Sequence, residues 1–299
     1  MSMVRPRAAA SLSRSRRFGR VGTAVGFIGA LVLMLIPFAW MISIAFTPPE
    51  QAFGEVSLFP SEPTLENFDT ALTDANMLTA LQNSAIVAAI VVTLNCVLAI
   101  LAGYAFAMLP FKGSNVVFWT LIATTAIPSS VTLIPQFLMT RAIPFAGGND
   151  MFGQGGSGLL DTIPGLALPH LVSAMNIFLA RQYFQSASVE LGEAARIDGA
   201  GEVRIFARIY LPLARPLVAV VGIFAFTAVW DDFLWPLVIT TSRSSQTVQL
   251  ALASFRSDGI VQYGPLMAGA LLVTLPVITI FLFYQRGFIS GLTEGSVKG

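Results

Sequence analysis

The sequence predicts an all-α membrane bundle of six transmembrane helices, with both termini on the cytoplasmic side. Three observations predict it. Hydrophobic residues make up 55% of the chain, charged residues only 11%, and mean hydropathy is +0.74. A soluble chain carries about 25% charge, so the charge present here is too sparse to cover a water-facing surface. Six apolar runs are each long enough to cross ~30 Å of hydrocarbon at about 20 residues per helix. Finally, the basic residues fall unevenly about those runs.

The first run, Val21–Phe46, follows Arg5, Arg7, Arg14, Arg16, Arg17 and Arg20, with no acid among them. It exceeds the ~7–15 residues of a signal-peptide core and reads as a retained span. The loop after it, Thr47–Gln82, carries Glu50, Glu55, Glu62, Glu66, Asp69 and Asp74 and no base. The second run, Asn83–Met108, holds the single cysteine, Cys96, which has no disulfide partner in the chain and reads as packing. The third, Asn115–Met139, contains Pro128 and Pro135. The fourth, Ile163–Phe184, is the weakest and has Pro164 and Pro169 near its start. Proline frees carbonyls that neighbouring helices must satisfy, so these spans are expected to kink.

Between the third and fourth runs lies FAGGNDMFGQGGSGLLDT, Phe145–Thr162, with six glycines. It reads as a flexible or partner-contacting external loop; a Ca²⁺ or sugar site is the alternative. The fifth run is Leu217–Ile239 and the sixth Leu266–Tyr284. With the N-terminus inside, fourteen of the seventeen bases fall on the inner side, leaving Arg141, Arg243 and Arg256 outside. The positive-inside rule then fixes the orientation. It divides the chain into a basic cytoplasmic segment 1–20, a transmembrane domain 21–290 and a cytoplasmic tail 291–299.

Much chemistry is excluded. The one histidine, His170, makes a histidine-based metal site improbable and reads as structural or pore-lining. The two lysines, Lys112 and Lys298, follow no Gly-x-x-x-x-Gly run, so no phosphate-binding loop can form. No nucleophile elbow appears, and no catalytic residue, metal or cofactor of the chain's own is expected. The apolar runs are nearly free of charge except at VWDDFLWP, where Asp231 and Asp232 lie between Trp230 and Trp235. Trp favours the membrane interface, so the pair is either an interfacial anchor or a polar contact on a solute path. Asn176 in the fourth run joins the same candidate set. The lack of further buried charge weighs against an ion-driven carrier, which needs acidic or histidine relays at mid-membrane.

The inner stretch ELGEAARIDGAGEVRIFARIYLPLARP, Glu190–Pro216, concentrates charge in an otherwise apolar chain. Ser188 can cap a short helix, with Glu190 and Glu193 in its first turns, where the helix dipole favours acids. Gly199 or Gly201 can end it with a left-handed residue. Leu191, Ala194, Ala195 and Ile197 give it a small apolar surface. Such a knob suits a protein groove, and an ordinary interfacial loop helix fits equally well. The basic, amphipathic residues that follow should lie along the inner face until Pro212 and Pro216 turn the chain into the fifth span.

Glu193–Pro212, EAARIDGAGEVRIFARIYLP, resembles the EAA signature of ABC importer permeases. NSAIVA at 83–88, AGYAFAMLPFKG at 102–113, IPQFLM at 134–139, FLARQYF at 178–184, WDDFLWPL at 230–237 and GLTEGSVKG at 291–299 resemble the carbohydrate branch, of the maltose-transporter G-subunit type. The resemblance covers about residues 22–299. It implies a type I importer permease that pairs with a second homologous permease in the lipid bilayer. It also implies two cytoplasmic ATPases that bind ATP and Mg²⁺, an extracytoplasmic solute-binding protein, a carbohydrate substrate and no nucleic acid. The loop of about 185–215 is then the coupling loop, with Glu190, Glu193, Ala194, Ala195, Asp198, Gly199 and Ala200 as ATPase-coupling residues. Gly291, Leu292, Thr293, Lys298 and Gly299 would contact the ATPases from the tail. By composition alone that tail is a mobile end without helix signal. The long basic leader, the FTPPE end of the first run and the Gly-rich insert depart from the family pattern and blur the substrate subgroup. The rival function is a secondary transporter or channel-type subunit not driven by ATP.

Overall fold

The computed structural model describes the backbone of residues 8–51, 60, 62–109, 111–257 and 260–294; side chains are described from 23 to 285 within these, apart from 257 and 260. Fourteen α-helices lie among the described residues. The first, α1 (Ala8–Ala45), begins well before the expected apolar run. Its leading residues are mostly Ala, Ser and Arg, with no proline between Pro6 and Pro37 to stop them. From Thr23 to Trp40 every side chain is exposed, and among the described side chains of the helix full burial begins at Ser43 and Ala45. There Asn67, on α2 (Glu66–Asp74), donates from Nδ2 to the carbonyls of Ala45 at 3.1 Å and Thr47 at 2.7 Å.

The centre of the bundle is α3 (Met77–Met108). Ala80, Ser84, Val87, Val91, Asn95, Ala99 and Gly103 form one buried stripe at helical spacing. Small residues along it let helices approach closely. At Gly103 the approach to Ala180 leaves no room for a side chain.

The third expected span is no straight helix. It divides into α4 (Ser114–Ala123) and α5 (Ser129–Arg141), which meet at 105°. Pro128 cannot donate a backbone bond and forces Ile127 out of the helical region, to φ −82° and ψ 118°. The fourth is likewise divided, into α6 (Ile163–Ala167) with its 3₁₀ extension to His170, and α7 (Ala174–Ser186), at 48°.

Between α7 and the next long helix lie α8 (Val189–Ile197), α9 (Glu202–Ile205), a π-turn at Phe206–Tyr210 and α10 (Leu211–Leu213). The Glu202–Leu213 run meets α11 (Arg215–Trp230) at 77°, where the prolines were expected to turn the chain. The fifth span does not continue to Ile239 as one helix. It ends at Trp230, and α12 (Leu234–Ile239) restarts after a three-residue break. Aspartates favour local backbone bonds over helix continuation, and Asp232 Oδ1 accepts from the amides of Leu234 at 3.1 Å and Trp235 at 3.4 Å.

The chain closes with α13 (Val248–Ala253), a short antiparallel pair β1 (Arg256–Ser257) and β2 (Ile260–Val261), and α14 (Tyr263–Glu294). Here too the sequence reading needs correction. Gly291, Leu292 and Thr293 belong to the α14 helix and not to an extended tail. Gly291, the one glycine of that segment within α14, weighs little against propagation from a helix already formed upstream. Lys298 and Gly299 lie outside the described residues.

Among the described residues, α1, α3 and α14 are each long and apolar enough to cross a membrane, and three bent pairs pass the same test together. Six spans result when each bent pair counts as one. The Gly-rich loop is well bonded. Asn149 is buried and donates to the carbonyls of Arg141 at 2.7 Å and Ile143 at 2.9 Å, while Gly156 N donates to its Oδ1 at 2.8 Å. Gly147, Gly153 and Gly158 have positive φ, and backbone carbonyls fill the place a side chain would take.

Candidate functional site

Two regions carry the candidate residues, one at the apex formed by α8 and α9 and one at the helix breaks at residues 171–173 and 231–233. At the apex, α8 is mounted on Tyr210. The ring is buried, its hydroxyl donates to Ser188 O at 3.0 Å, and Gly192 lies so close that an added Cβ would sit 2.7 Å from that hydroxyl. Tyr210 in turn packs against Tyr104 of α3 and Phe184 of α7. The small helix therefore stands on an aromatic plug that reaches two spanning helices.

The helix stops at Gly199, one of the two glycines the sequence offered. Gly199 takes φ +81°, its amide donates to Arg196 O at 3.0 Å, and the Ala200 amide donates to Ala195 O at 2.9 Å. This is a Schellman stop. Ser188 occupies the N-cap position but makes no side-chain cap bond. Beyond the stop, Arg196 grips Glu202 through two bonds, Nε–Oε1 at 2.6 Å and Nη2–Oε2 at 3.1 Å. The Arg196 bond, against the opposing effect of slight burial, holds the Glu202 carboxyl below its ordinary value. Glu190, Glu193, Ala194, Asp198 and Gly199 are exposed, Ala195 and Ala200 half-buried. At the crown, Ile197 is 86% and Val203 83% exposed. A rigid base thus presents two large aliphatic side chains within a charged rim.

The outer candidates divide. Trp230 is buried, donates from Nε1 to Val273 O at 3.3 Å, and lines an apolar cleft of about 890 Å³ between α3, α11 and α14. Half-buried Cys96 lines the same cleft. Trp235 is buried elsewhere, against α6, with Nε1 donating to Gly165 O at 3.0 Å. Asn176 is buried as well and donates to Asn95 Oδ1 at 2.7 Å. Asp231 is exposed. Asp232 faces His170, Oδ2 to Nε2 at 2.9 Å. The structure therefore joins Asp232, His170, Asn95 and Asn176 into one polar cluster and leaves Trp230 on the cleft. Sequence reading missed Tyr210, Tyr104 and Asn95. Gly192 in mid-helix signals a close approach, and Asn95 in an apolar span signals a buried polar role.

Residues 96–293 match the family of binding-protein-dependent transport system inner membrane components. The chain belongs to this family. It is therefore an integral membrane component of a transport system that works with a solute-binding protein. The permease is 32% identical over 279 residues to the arabinooligosaccharides transport system permease protein AraQ of Halalkalibacterium halodurans, covering 92% of this chain and 95% of that one. It is 31% identical to the lactose transport system permease protein LacG of Rhizobium radiobacter, covering 90% and 93%. It is 28% identical to the diacetylchitobiose uptake system permease protein NgcG of Streptomyces coelicolor, covering 97% and 93%. In fold it is similar to a chain of a bacterial ABC transporter involved in import of the acidic polysaccharide alginate, with a TM-score of 0.75, 22% identity and coverage of 96% and 100%.

Proposed function

We propose that this chain is the permease subunit of an ATP-driven carbohydrate importer, taking a di- or oligosaccharide or a related polyol or glycerol phosphate. It forms half of the translocation path with a second homologous permease. Two cytoplasmic ATPases bind ATP and Mg²⁺, and an extracytoplasmic solute-binding protein delivers the solute. The apex carries this reading: Ile197 at the end of α8 and Val203 on α9 stand exposed above a base fixed in buried aromatic packing. An apolar crown on a rigid mount suits a groove in a partner better than it suits water. The transport substrates named for the relatives support the carbohydrate class.

ATPase closure displaces the groove, and the groove carries α8 with it. Tyr210 and Gly192 pass that displacement to Tyr104 on α3 and Phe184 on α7, which rock between two packed arrangements. Residues 291–299 extend the contact to the docked ATPases, a role supported by their likeness to the tail of the maltose-transporter G-subunit type. The unpacked length of α1 suits lipid and the second permease.

The test is uptake of labelled oligosaccharides into proteoliposomes holding the assembled transporter. Uptake is expected to require both ATP and the binding protein. Uptake driven by an ion gradient without ATP would overturn the reading. Orientation is checked separately, in a Cys96→Ala background. An impermeant thiol reagent should label Phe145→Cys only from outside and Val203→Cys only from inside.

A further inference from the structure

Two helix breaks face each other in the outer cluster. One lies at residues 171–173, between the Ile163–His170 run and α7. The other lies at residues 231–233, between α11 and α12. His170 is the last residue before the first break, and Asp232 sits within the second, 2.9 Å away. An ionised carboxylate only accepts, so His170 donates through Nε2. Asp232 uses its other oxygen to hold the leading amides of α12. Asn95 on α3 spans the first break from behind. Its Nδ2 donates to His170 O at 3.0 Å, and its Oδ1 accepts from Asn176 on α7.

Beyond the breaks, α6 and α12 are tied once directly and once through the residues that flank them. Trp235 reaches Gly165 O, and Asp161 Oδ1 accepts from the amides of Thr241 at 2.9 Å and Ser242 at 3.1 Å. Leu166, Ala167, Trp235 and Ile239 share one buried cluster. A helix break is a place where the chain can bend. Two unlinked breaks would let α6 and α12 swing separately; linked breaks make the two short helices one body.

We propose that His170 and Asp232 are a positioning pair that latches the two breaks together, so that α6 and α12 move as one outer unit during transport. The proposal rests on the importer reading above. The bond is charge-assisted, and such bonds are shorter and stronger than neutral ones. The pair is only partly open to solvent, at 21% and 17% side-chain exposure, so water competes weakly for it. Asp231, exposed beside it, is the carboxylate left available to a passing solute.

The assembled transporter in proteoliposomes, with uptake normalised to permease abundance, supplies the first readout. His170→Ala should lower the maximal uptake rate at least fivefold and leave the half-saturating solute concentration unchanged, because capture belongs to the binding protein. His170→Gln, which keeps an N–H donor at similar reach, should retain at least half of the rate. The second readout is amide hydrogen exchange over residues 232–239 in nanodiscs. It should quicken at least tenfold in the Ala variant and stay near wild type in the Gln variant. Exchange does not depend on transport, so a wild-type chain without ATP-driven uptake would overturn the importer reading while the exchange still judges the latch. If His170→Ala fails to accumulate, His170→Asn, too short to reach Oδ2, takes its place with the same expected contrast. Equal behaviour of the donor-retaining and donor-lacking variants, in uptake and exchange, would overturn the proposal.

Discussion

Uptake by an Ile197→Asp variant is expected to fall by about a hundredfold or more, at unchanged abundance in the membrane. Ile197 is 86% exposed in this chain, so a carboxylate there meets water and leaves folding intact. Once the apex seats in an ATPase groove, the same carboxylate is buried without a partner. Such a charge costs about 3–5 kcal/mol, and each 1.4 kcal/mol is about tenfold in affinity. Co-purification of the ATPase with tagged permease should fall in step with uptake. Gly199→Val should act in the same direction by a different route. Its φ of +81° is a region that a β-branched residue enters only with strain of about 1–2 kcal/mol. Apart from its chain neighbours, no atom lies within 4 Å of where a Cβ would stand, so the damage stays local to the helix stop. Normal uptake and ATPase retention by both variants would show that the apex is an ordinary loop helix.

The second large effect concerns assembly of the bundle itself. Gly103→Val should sharply reduce the amount of folded permease and lower its melting temperature in detergent. A Cβ at residue 103 would collide with Ala180 Cβ and lie 2.8 Å from the Ala180 carbonyl carbon. That backbone cannot step aside without opening the α3–α7 packing on which Tyr104, Phe184 and Tyr210 depend. Overpacking typically costs about 1–3 kcal/mol, and here backbone rather than a flexible side chain is in the way. Gly222→Ala is the matched control. Its nearest neighbours would be Cys96 Sγ at 3.7 Å and Val92 Cγ1 at 3.8 Å, ordinary contact distances on the cleft wall. Size-exclusion chromatography after stepped heating distinguishes the two. A Gly103→Val protein as abundant and as heat-resistant as the control would mean that α3 and α7 are not held at that spacing.

The sequence by itself determined those features that rest on composition and local chemistry. The scarcity of charge and the long apolar runs required a membrane bundle. The one-sided distribution of arginines set the expected orientation. Short-range rules placed the apex helix and its stop at Gly199 or Gly201, because glycine adopts the left-handed conformation that ends a helix without a Cβ penalty, and the fold took Gly199. The bend before α11 fell where Pro212 and Pro216 stood. Family membership, too, was written in contiguous segments such as EAARIDGAG.

Tertiary structure decided whatever depended on residues distant in the chain. Proline signalled that the third span bends, but 105° at Ile127–Pro128 is set by what α4 and α5 pack against. Asp231 and Asp232 read as a pair, yet only the fold separates them, one towards solvent and one onto His170. The two tryptophans beside them part in the same way, Trp230 to the cleft and Trp235 to Gly165. The tail composition argued against helix, but α14 propagates through Glu294 because extending a formed helix costs far less than starting one. The mount of the apex was the least legible feature. Tyr104 on α3, Phe184 on α7, Gly192 on α8 and Tyr210 on the π-turn belong to four separate elements. Nothing in the local spacing of any one announces the others, since a packed contact is fixed by the approach of whole helices and not by their neighbours in the chain.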